Sequence, residues 1–182
     1  MNKSLEIGSR VVGPNNPPFV IAEMSGNHNH SLERAIRIVE AAADAGVHAL
    51  KLQTYTADTM TIDTDADGFT VTDPKSPWYG RSLYDLYEEA HTPWEWHEPI
   101  IDRCRELGLI PISTPFDESA VEFLEGFDLP AYKVASFENV DIPLIRRVAS
   151  TGKPLIISAG MATVAGACRR AKNLTVCELR PG

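Results

Sequence analysis

The chain has 182 residues, of which 43% are hydrophobic and 23% charged, a balance typical of a soluble globular protein. Its formal net charge of −8 would repel a phosphate backbone or an anionic lipid surface, which disfavours nucleic acid and membranes as partners. The longest apolar stretches are strand-sized, and the amino terminus lacks the apolar core of a secretory signal, so we expect a cytoplasmic protein.

Short apolar runs alternate along the chain with runs of helical periodicity, a pattern that predicts consecutive βα units. The predicted strands cover residues 19–24, 48–54, 109–114, 131–136 and 154–159. The predicted helices cover residues 31–45, 83–90, 93–107, 118–127 and 143–150. Ser31 is a candidate N-cap and Gly46 a helix stop. A short helix over 162–172 and a sixth strand over 174–179 could follow.

Five βα units in a row predict a parallel sheet, which could be an open doubly wound sheet or a closed barrel. In a barrel, polar residues gather at the carboxyl ends of all the strands, whereas a doubly wound sheet concentrates them at one switch point. Here every predicted strand ends in polar residues: Glu23, Lys51, Gln53, Ser113, Thr114, Lys133, Ser136 and Ser158. We therefore predict a single α/β domain over 1–182, a (β/α) barrel of the TIM type with about five to six of its eight units.

Two lysines, Lys51 and Lys133, interrupt otherwise apolar strands. A buried ammonium is costly unless an anion neutralises it, so each lysine could simply pair with a nearby carboxylate. Taken together they favour an anion site, because hydroxyl groups suited to a phosphate or carboxylate share the predicted rim. Those hydroxyl groups belong to Thr114, Ser136 and Ser158.

Glu23 ends the first strand, where its carboxylate could orient or deprotonate a water molecule, although a loop salt bridge is the simpler alternative. His28 and His30 have a spacing that suits no zinc signature, and the group around Trp94, Trp96 and His97 is predicted to pack under the long loop. The three cysteines share no metal-type spacing, so free buried thiols are expected at Cys104, Cys168 and Cys177.

Six strings resemble, in the same order, motifs of the sialic acid synthase family, and within it the pseudaminate branch. They are IAEMSGNH (21–28), LKLQTY (50–55), TPWEWH (92–97), STPFD (113–117), YKVASFEN (132–139) and IISAGMA (156–162). The resemblance implies a transferase that condenses phosphoenolpyruvate with a 2,4-diacetamido-2,4,6-trideoxy hexose aldehyde to give a nonulosonic acid and phosphate. The neuraminate and legionaminate branches are the alternatives, since they differ only in the sugar.

By motif position, the resemblance assigns phosphoenolpyruvate binding to Lys51, Thr114, Lys133, Ser136 and Ser158. Catalysis is assigned to Glu23, Lys51 and Lys133, and contact with the sugar to Asn27, His28, Gln53, Phe116 and Glu138.

The family also implies Mn²⁺ or Mg²⁺ held by two histidines on later strands, and a carboxyl-terminal antifreeze-like domain that reaches across a homodimer. No histidine follows His97, so we expect no metal ligands here, and residues 166–182 depart from the family pattern. From this we expect a truncated catalytic domain without the antifreeze-like domain, of doubtful oligomeric state. An inactive fragment that at most binds phosphoenolpyruvate is the alternative of another class.

Overall fold

The computed structural model describes residues 4–160, 162–163, 166 and 176–177. The strands are β1 (Leu5–Ile7), β2 (Arg10–Val12), β3 (Ile21–Glu23), β4 (Ala49–Thr54), β5 (Ile110–Pro115), β6 (Tyr132–Val134), β7 (Leu155–Ile157) and β8 (Val176–Cys177). The α-helices are α1 (Leu32–Asp44), α2 (Ala57–Met60), α3 (Leu83–Ala90), α4 (His97–Glu106), α5 (Glu118–Glu125) and α6 (Ile142–Ala149). Turns of 3₁₀ helix cover Ser25–His28, Trp94–Trp96 and Glu138–Val140.

Strands β3 to β8 form one parallel sheet in which each strand pairs with the next one along the chain. A doubly wound sheet would reverse its strand order at a switch point, whereas sequential order is the arrangement of a (β/α) barrel. The predicted fold class is therefore confirmed, and β8 lies within the predicted sixth strand. The helix predicted over 162–172 falls almost entirely outside the described residues.

The helices begin where short polar side chains can accept hydrogen bonds from free backbone N–H groups. Ser31 caps α1 as predicted, and Asp117 and Asp141 do the same for α5 and α6. The predicted helix over 93–107 begins instead with a 3₁₀ turn, so α4 starts only at His97. No helix in the described part of the chain is both long enough and apolar enough to cross a membrane.

Two hydrophobic clusters lie on opposite faces of the parallel sheet. The outer cluster joins strand residues such as Leu50 and Leu52 to buried residues of the surrounding helices. The inner cluster contains Ile112 and Ile156, and the strands place Lys51 beside the first and Lys133 beside the second. Because side chains alternate between faces along a strand, both lysines are on the inner face.

The antiparallel hairpin β1–β2 packs against the inner face at the amino-terminal ends of the strands. Its Ile7 is fully buried in the inner cluster. The turn residue Gly8 has a φ of +57°, and a Cβ there would lie 3.2 Å from a side-chain carbon of Ile110. The hairpin thus covers the end of the sheet opposite to the predicted site.

Candidate functional site

Besides Lys133, the strand ends bring five of the predicted site residues onto the inner face. Glu23 lies directly opposite Lys51 in the β3–β4 pairing, and Gln53 lies opposite Thr114 in the β4–β5 pairing. Ser158 follows β7 and donates its backbone N–H to the carbonyl oxygen of Val134. Toward the amino-terminal ends of the strands the same face is covered by the apolar inner cluster, so these polar groups gather at the carboxyl end.

Lys51 is the most deeply buried charged residue of this face. Its side chain is 10% exposed and forms an ion pair with Glu23, whose side chain is 40% exposed. Burial lowers the pKa of the Lys51 ammonium to about 8, and the positive charge of Lys133 acts in the same direction. The charges of the two lysines therefore interact, and Lys51 also has the carboxylate partner that was the simpler alternative.

Lys133 differs from Lys51 because it has no carboxylate within ion-pair distance among the described residues. Desolvation lowers the pKa of Lys133, and the charge of Glu138 opposes that change. A half-buried ammonium without a close counter-ion is energetically poor, and an incoming anion would improve its environment.

The predicted hydroxyl groups lie beside these lysines on the ends of β5, β6 and β7. Ser136 Oγ and Ser158 Oγ are 3.0 Å apart, and Asn139 donates to the Ser158 carbonyl oxygen over 3.1 Å. Three buried polar atoms have no hydrogen-bond partner within the described residues: Asp117 Oδ2 at the start of α5, and two atoms of predicted site residues, Thr114 Oγ1 and Glu138 Oε2. Such groups are normally satisfied, so the two site atoms mark positions where a ligand atom could bind.

Three of the predicted sugar-contacting residues lie on loops or strand ends at the same end of the sheet. Asn27 is exposed and donates to the carbonyl oxygen of Met24 over 2.9 Å. Gln53 is 3.4 Å from Ser25 Oγ, and Phe116 packs edge-on against Tyr55 with ring centroids 5.3 Å apart. Their contact with a sugar stays a prediction.

His28 ends the 3₁₀ turn in the loop after β3, and its side chain is fully buried. Its Nδ1 accepts from the backbone N–H of His30 over 3.2 Å, so Nε2 carries the proton and donates to Thr92 Oγ1 over 3.1 Å. Burial lowers the pKa of His28 to about 4, with smaller effects from His30 and His91. Both ring nitrogens are already engaged, so the predicted contact with a sugar would require this loop to rearrange.

Ser113 lies on the other face from the remaining strand-end residues, contrary to the expectation that it shares their rim. It is fully buried toward the helices, where its hydroxyl is 2.8 Å from Thr54 Oγ1, which in turn is 2.8 Å from His97 Nε2. Of the predicted aromatic group, Trp94 stacks on Phe123 of α5 at 4.5 Å and donates from its indole N–H to the carbonyl oxygen of Tyr55, where the long loop begins. The buried thiol expected at Cys104 is confirmed, whereas Cys168 and the side chain of Cys177 lie outside the described residues.

A divalent metal finds no fitting set of ligands in the part of the chain that the structure describes. That part contains no group of three or more histidine, cysteine, aspartate or glutamate residues arranged to hold an ion. The two buried histidines use both of their ring nitrogens for internal hydrogen bonds.

The sequence of the chain matches a known family. The NeuB family model matches residues 38–176, more than half of the chain. This chain belongs to the NeuB family. Membership confirms the resemblance to the sialic acid synthases that the six motifs indicated.

Curated relatives in the NeuB family include synthases of several acidic sugars. The pseudaminic acid synthase of Campylobacter jejuni serotype O:2 is 46% identical over 145 residues, which are 80% of this chain and 42% of that protein. The pseudaminic acid synthase of Helicobacter pylori is 40% identical over 170 residues, which are 90% of this chain and 49% of that protein. The N,N'-diacetyllegionaminic acid synthase of Legionella pneumophila is 34% identical over 145 residues, covering 79% and 40%. The chain thus spans less than half the length of these relatives.

Solved structures of related proteins show the same fold. A Leptospira borgpetersenii N-acetylneuraminic acid synthetase in complex with citrate superposes with a TM-score of 0.83 at 23% identity, covering 98% of this chain and 59% of that one. The Bacillus subtilis spore coat polysaccharide biosynthesis protein SpsE gives a TM-score of 0.75 at 30% identity, covering 97% and 47%. Both comparisons agree with the barrel-type arrangement of β3 to β8.

Proposed function

We propose that this chain carries the phosphoenolpyruvate-binding half of a pseudaminic acid synthase-type transferase. The observation that carries the proposal is the placement of Lys51 and Lys133 on one inner face, close enough for the charge of one to lower the pKa of the other. Two adjacent ammonium groups in a partly desolvated site create a strong requirement for an anion. The identity to pseudaminic acid synthases supports the choice of reaction.

The proposed reaction joins phosphoenolpyruvate to a 2,4-diacetamido-2,4,6-trideoxy hexose aldehyde. The methylene carbon of phosphoenolpyruvate forms a bond to the aldehyde carbon, whose oxygen takes a proton and becomes a hydroxyl group. Water adds to the cationic C2 centre, and the C–O bond to phosphate then breaks. One phosphoenolpyruvate, one aldehyde and one water give one nonulosonic acid and one phosphate.

The binding residues have distinct parts in this scheme. Lys51 and Lys133 neutralise the carboxylate and phosphate, while the hydroxyl groups of Thr114, Ser136 and Ser158 donate hydrogen bonds to the anionic oxygens. The unpaired Thr114 hydroxyl and its buried position suit that role, since a ligand oxygen would satisfy it.

Two carboxylates would complete the proposed site. Glu23 is well enough exposed to meet a water molecule or the sugar while it is still paired with Lys51. Its negative charge would stabilise the cation that develops at C2. Glu138, with one buried unpaired oxygen, would accept a hydrogen bond from the sugar.

Isothermal calorimetry with phosphoenolpyruvate tests the binding part of the proposal. The unaltered chain should give saturable heat, and Lys51→Ala or Lys133→Ala should each weaken binding by at least about tenfold, since each removes a charge-assisted contact. Lys153→Ala is the matched control, because Lys153 pairs with Glu125 away from the inner face. Equal affinity in all four proteins would refute the site.

Phosphate release in the presence of Mn²⁺ and competing sugar aldehydes tests the reaction itself. Preference for the pseudaminate precursor over the neuraminate and legionaminate precursors is the expected result. Saturable binding without phosphate release would restrict this chain to binding phosphoenolpyruvate.

A further inference from the structure

A chain of buried polar groups lies directly behind the proposed anion site, on the helix-facing side of β4 and β5. It consists of His97, Thr54 and Ser113, all fully buried, and it is called the His97 chain below. Its neighbours include the aromatic ring of Phe123, 5.2 Å from the His97 ring. Burying three polar side chains in apolar surroundings is unfavourable unless each is hydrogen-bonded, and here they bond to one another in series.

The hydrogen bonds of the His97 chain run in one direction. His97 Nδ1 is 3.3 Å from the carbonyl oxygen of Pro93, which can only accept, so Nδ1 carries the proton. Nε2 must then accept from the Thr54 hydroxyl, at 2.8 Å. The Thr54 oxygen in turn accepts from the Ser113 hydroxyl, also at 2.8 Å. A neutral imidazole with a single tautomer therefore fixes the rotamers of both hydroxyl groups.

The His97 chain lies next to the anion site because side chains alternate between the two faces along β4 and β5. Thr54 follows Gln53, and Ser113 precedes Thr114, so each hydroxyl group of the chain is one residue from an inner-face residue. Gln53 and Thr114 are themselves paired across β4 and β5. A side-chain bond between the strands on the outer face thus holds the spacing of this pair on the inner face.

The spacing between Gln53 and Thr114 matters for ligand binding because of the Thr114 hydroxyl group. Its hydroxyl oxygen is buried and has no partner in the described residues, so its own surroundings supply no hydrogen bond to orient it. We propose that His97 is a positioning residue that holds the Thr114 hydroxyl in place for the anionic ligand. His97 acts through the hydroxyl groups of Thr54 and Ser113 and does not touch the ligand. The proposal rests on the function proposed above.

The variant Thr54→Val tests this role, because it replaces the central hydroxyl with a methyl group of similar size. We expect phosphoenolpyruvate affinity, measured by calorimetry at a temperature where every variant is folded, to fall about 3- to 10-fold. Thr54→Ser keeps the hydroxyl and should restore affinity to within about twofold of the unaltered chain. Ser113→Ala is a milder change, at the last member of the His97 chain, and should reduce phosphoenolpyruvate affinity by a smaller factor. It replaces Thr54→Val as the test if that variant fails to fold.

The variant Ile145→Val distinguishes a purely structural role, because it loses one methyl group from the outer cluster and leaves the His97 chain intact. It should lower the free energy of unfolding without changing phosphoenolpyruvate affinity. If Thr54→Val binds as tightly as Ile145→Val, the positioning role is wrong although the proposed function stands. If the unaltered chain itself binds no phosphoenolpyruvate, the proposed function fails, and the positioning role with it.

Discussion

The Lys51 ammonium and the Glu23 carboxylate form an ion pair across the β3–β4 pairing, where the two residues stand directly opposite each other. The pair joins the most buried cation of the inner face to a carboxylate that solvent can still reach. Lys51 is therefore held in position before any ligand arrives, while Lys133 keeps its charge available. The burial of Lys51 makes its protonation, and with it the stability of the protein, depend on pH.

The stability of the protein should rise with pH between about 8 and 10.5, and Lys51 should account for part of that rise. The folded pKa of Lys51 is lowered to about 8 from 10.5, so over this range the unfolded chain binds a proton that the folded chain has lost. The free energy of unfolding can be measured by urea denaturation at pH 7.5 and at pH 9.5. Its increase between the two pH values should be smaller in Lys51→Met than in the unaltered chain, by roughly 1–3 kcal/mol. An identical pH dependence in both proteins would contradict the lowered pKa.

Acid should destabilise the fold through the two buried histidines. Burial lowers the pKa of His97 from 6.5 to about 4, so between those values the unfolded chain takes up a proton first and the free energy of unfolding falls as the pH drops. His97→Gln keeps an acceptor for Thr54 but cannot titrate. Its loss of stability between pH 6.5 and 4.5 should be smaller than that of the unaltered chain by up to about 3 kcal/mol.

The control for this acid effect is Ile145→Val, which alters the outer cluster without removing a titratable group. It should leave the difference between pH 6.5 and pH 4.5 within about 0.5 kcal/mol of the unaltered value. A drop of equal size in His97→Gln and the unaltered chain would show that His97 is not the group responsible.

Gly26 should be intolerant of substitution because of a close contact with the last residue of α3. A Cβ at this position would lie 3.0 Å from the carbonyl oxygen of Ala90, a backbone atom that cannot swing aside. Gly26→Ala should therefore cost about 1–3 kcal/mol, measured by urea denaturation. It should also displace the loop after Glu23, which a shift in the amide resonances of this loop would reveal.

Gly126→Ala provides the comparison, since its Cβ would lie 3.3 Å from the carbonyl oxygen of Phe123 and its φ is not positive. We expect a cost below about 1 kcal/mol there, because alanine is the better residue at a helix end of ordinary φ. A larger cost at Gly126 than at Gly26 would disprove the proposed steric origin.

The outer cluster should contain the main stabilising contacts of the fold. Leu124 of α5 is fully buried within it, so Leu124→Ala should lower the free energy of unfolding by about 2–5 kcal/mol. Leu107 is 37% exposed, and Leu107→Ala should cost less than about 1 kcal/mol. Similar losses in the two variants would mean that α5 does not pack as described.

The order of βα units and the shared face of the two lysines could be predicted from sequence. Strands buried on both faces are nearly all apolar, so a lysine within one stands out wherever the exact strand boundaries fall. The sequential strand order follows from polar residues at every strand end, which a doubly wound sheet would not produce.

Other features depend on tertiary packing that leaves little local signal. Ser113 and Thr114 are both hydroxyl residues at one strand end, and only the register with β4 decides which of them faces inward. His28 resembles an ordinary loop histidine in sequence, yet Thr92, 64 residues away, buries and engages it. The hairpin β1–β2 has strands of three residues, too short for an alternating pattern to predict.

That hairpin has a practical consequence for work with the protein. Because β1 and β2 cover the amino-terminal ends of the parallel strands, a linker joined just before Leu5 would be attached on the side away from Lys51 and Lys133. Immobilising the chain on a sensor surface by that end should therefore keep the mouth above the two amines facing the bulk solution. Small-molecule titrations on such a surface would then sample the same opening that is accessible to the free chain.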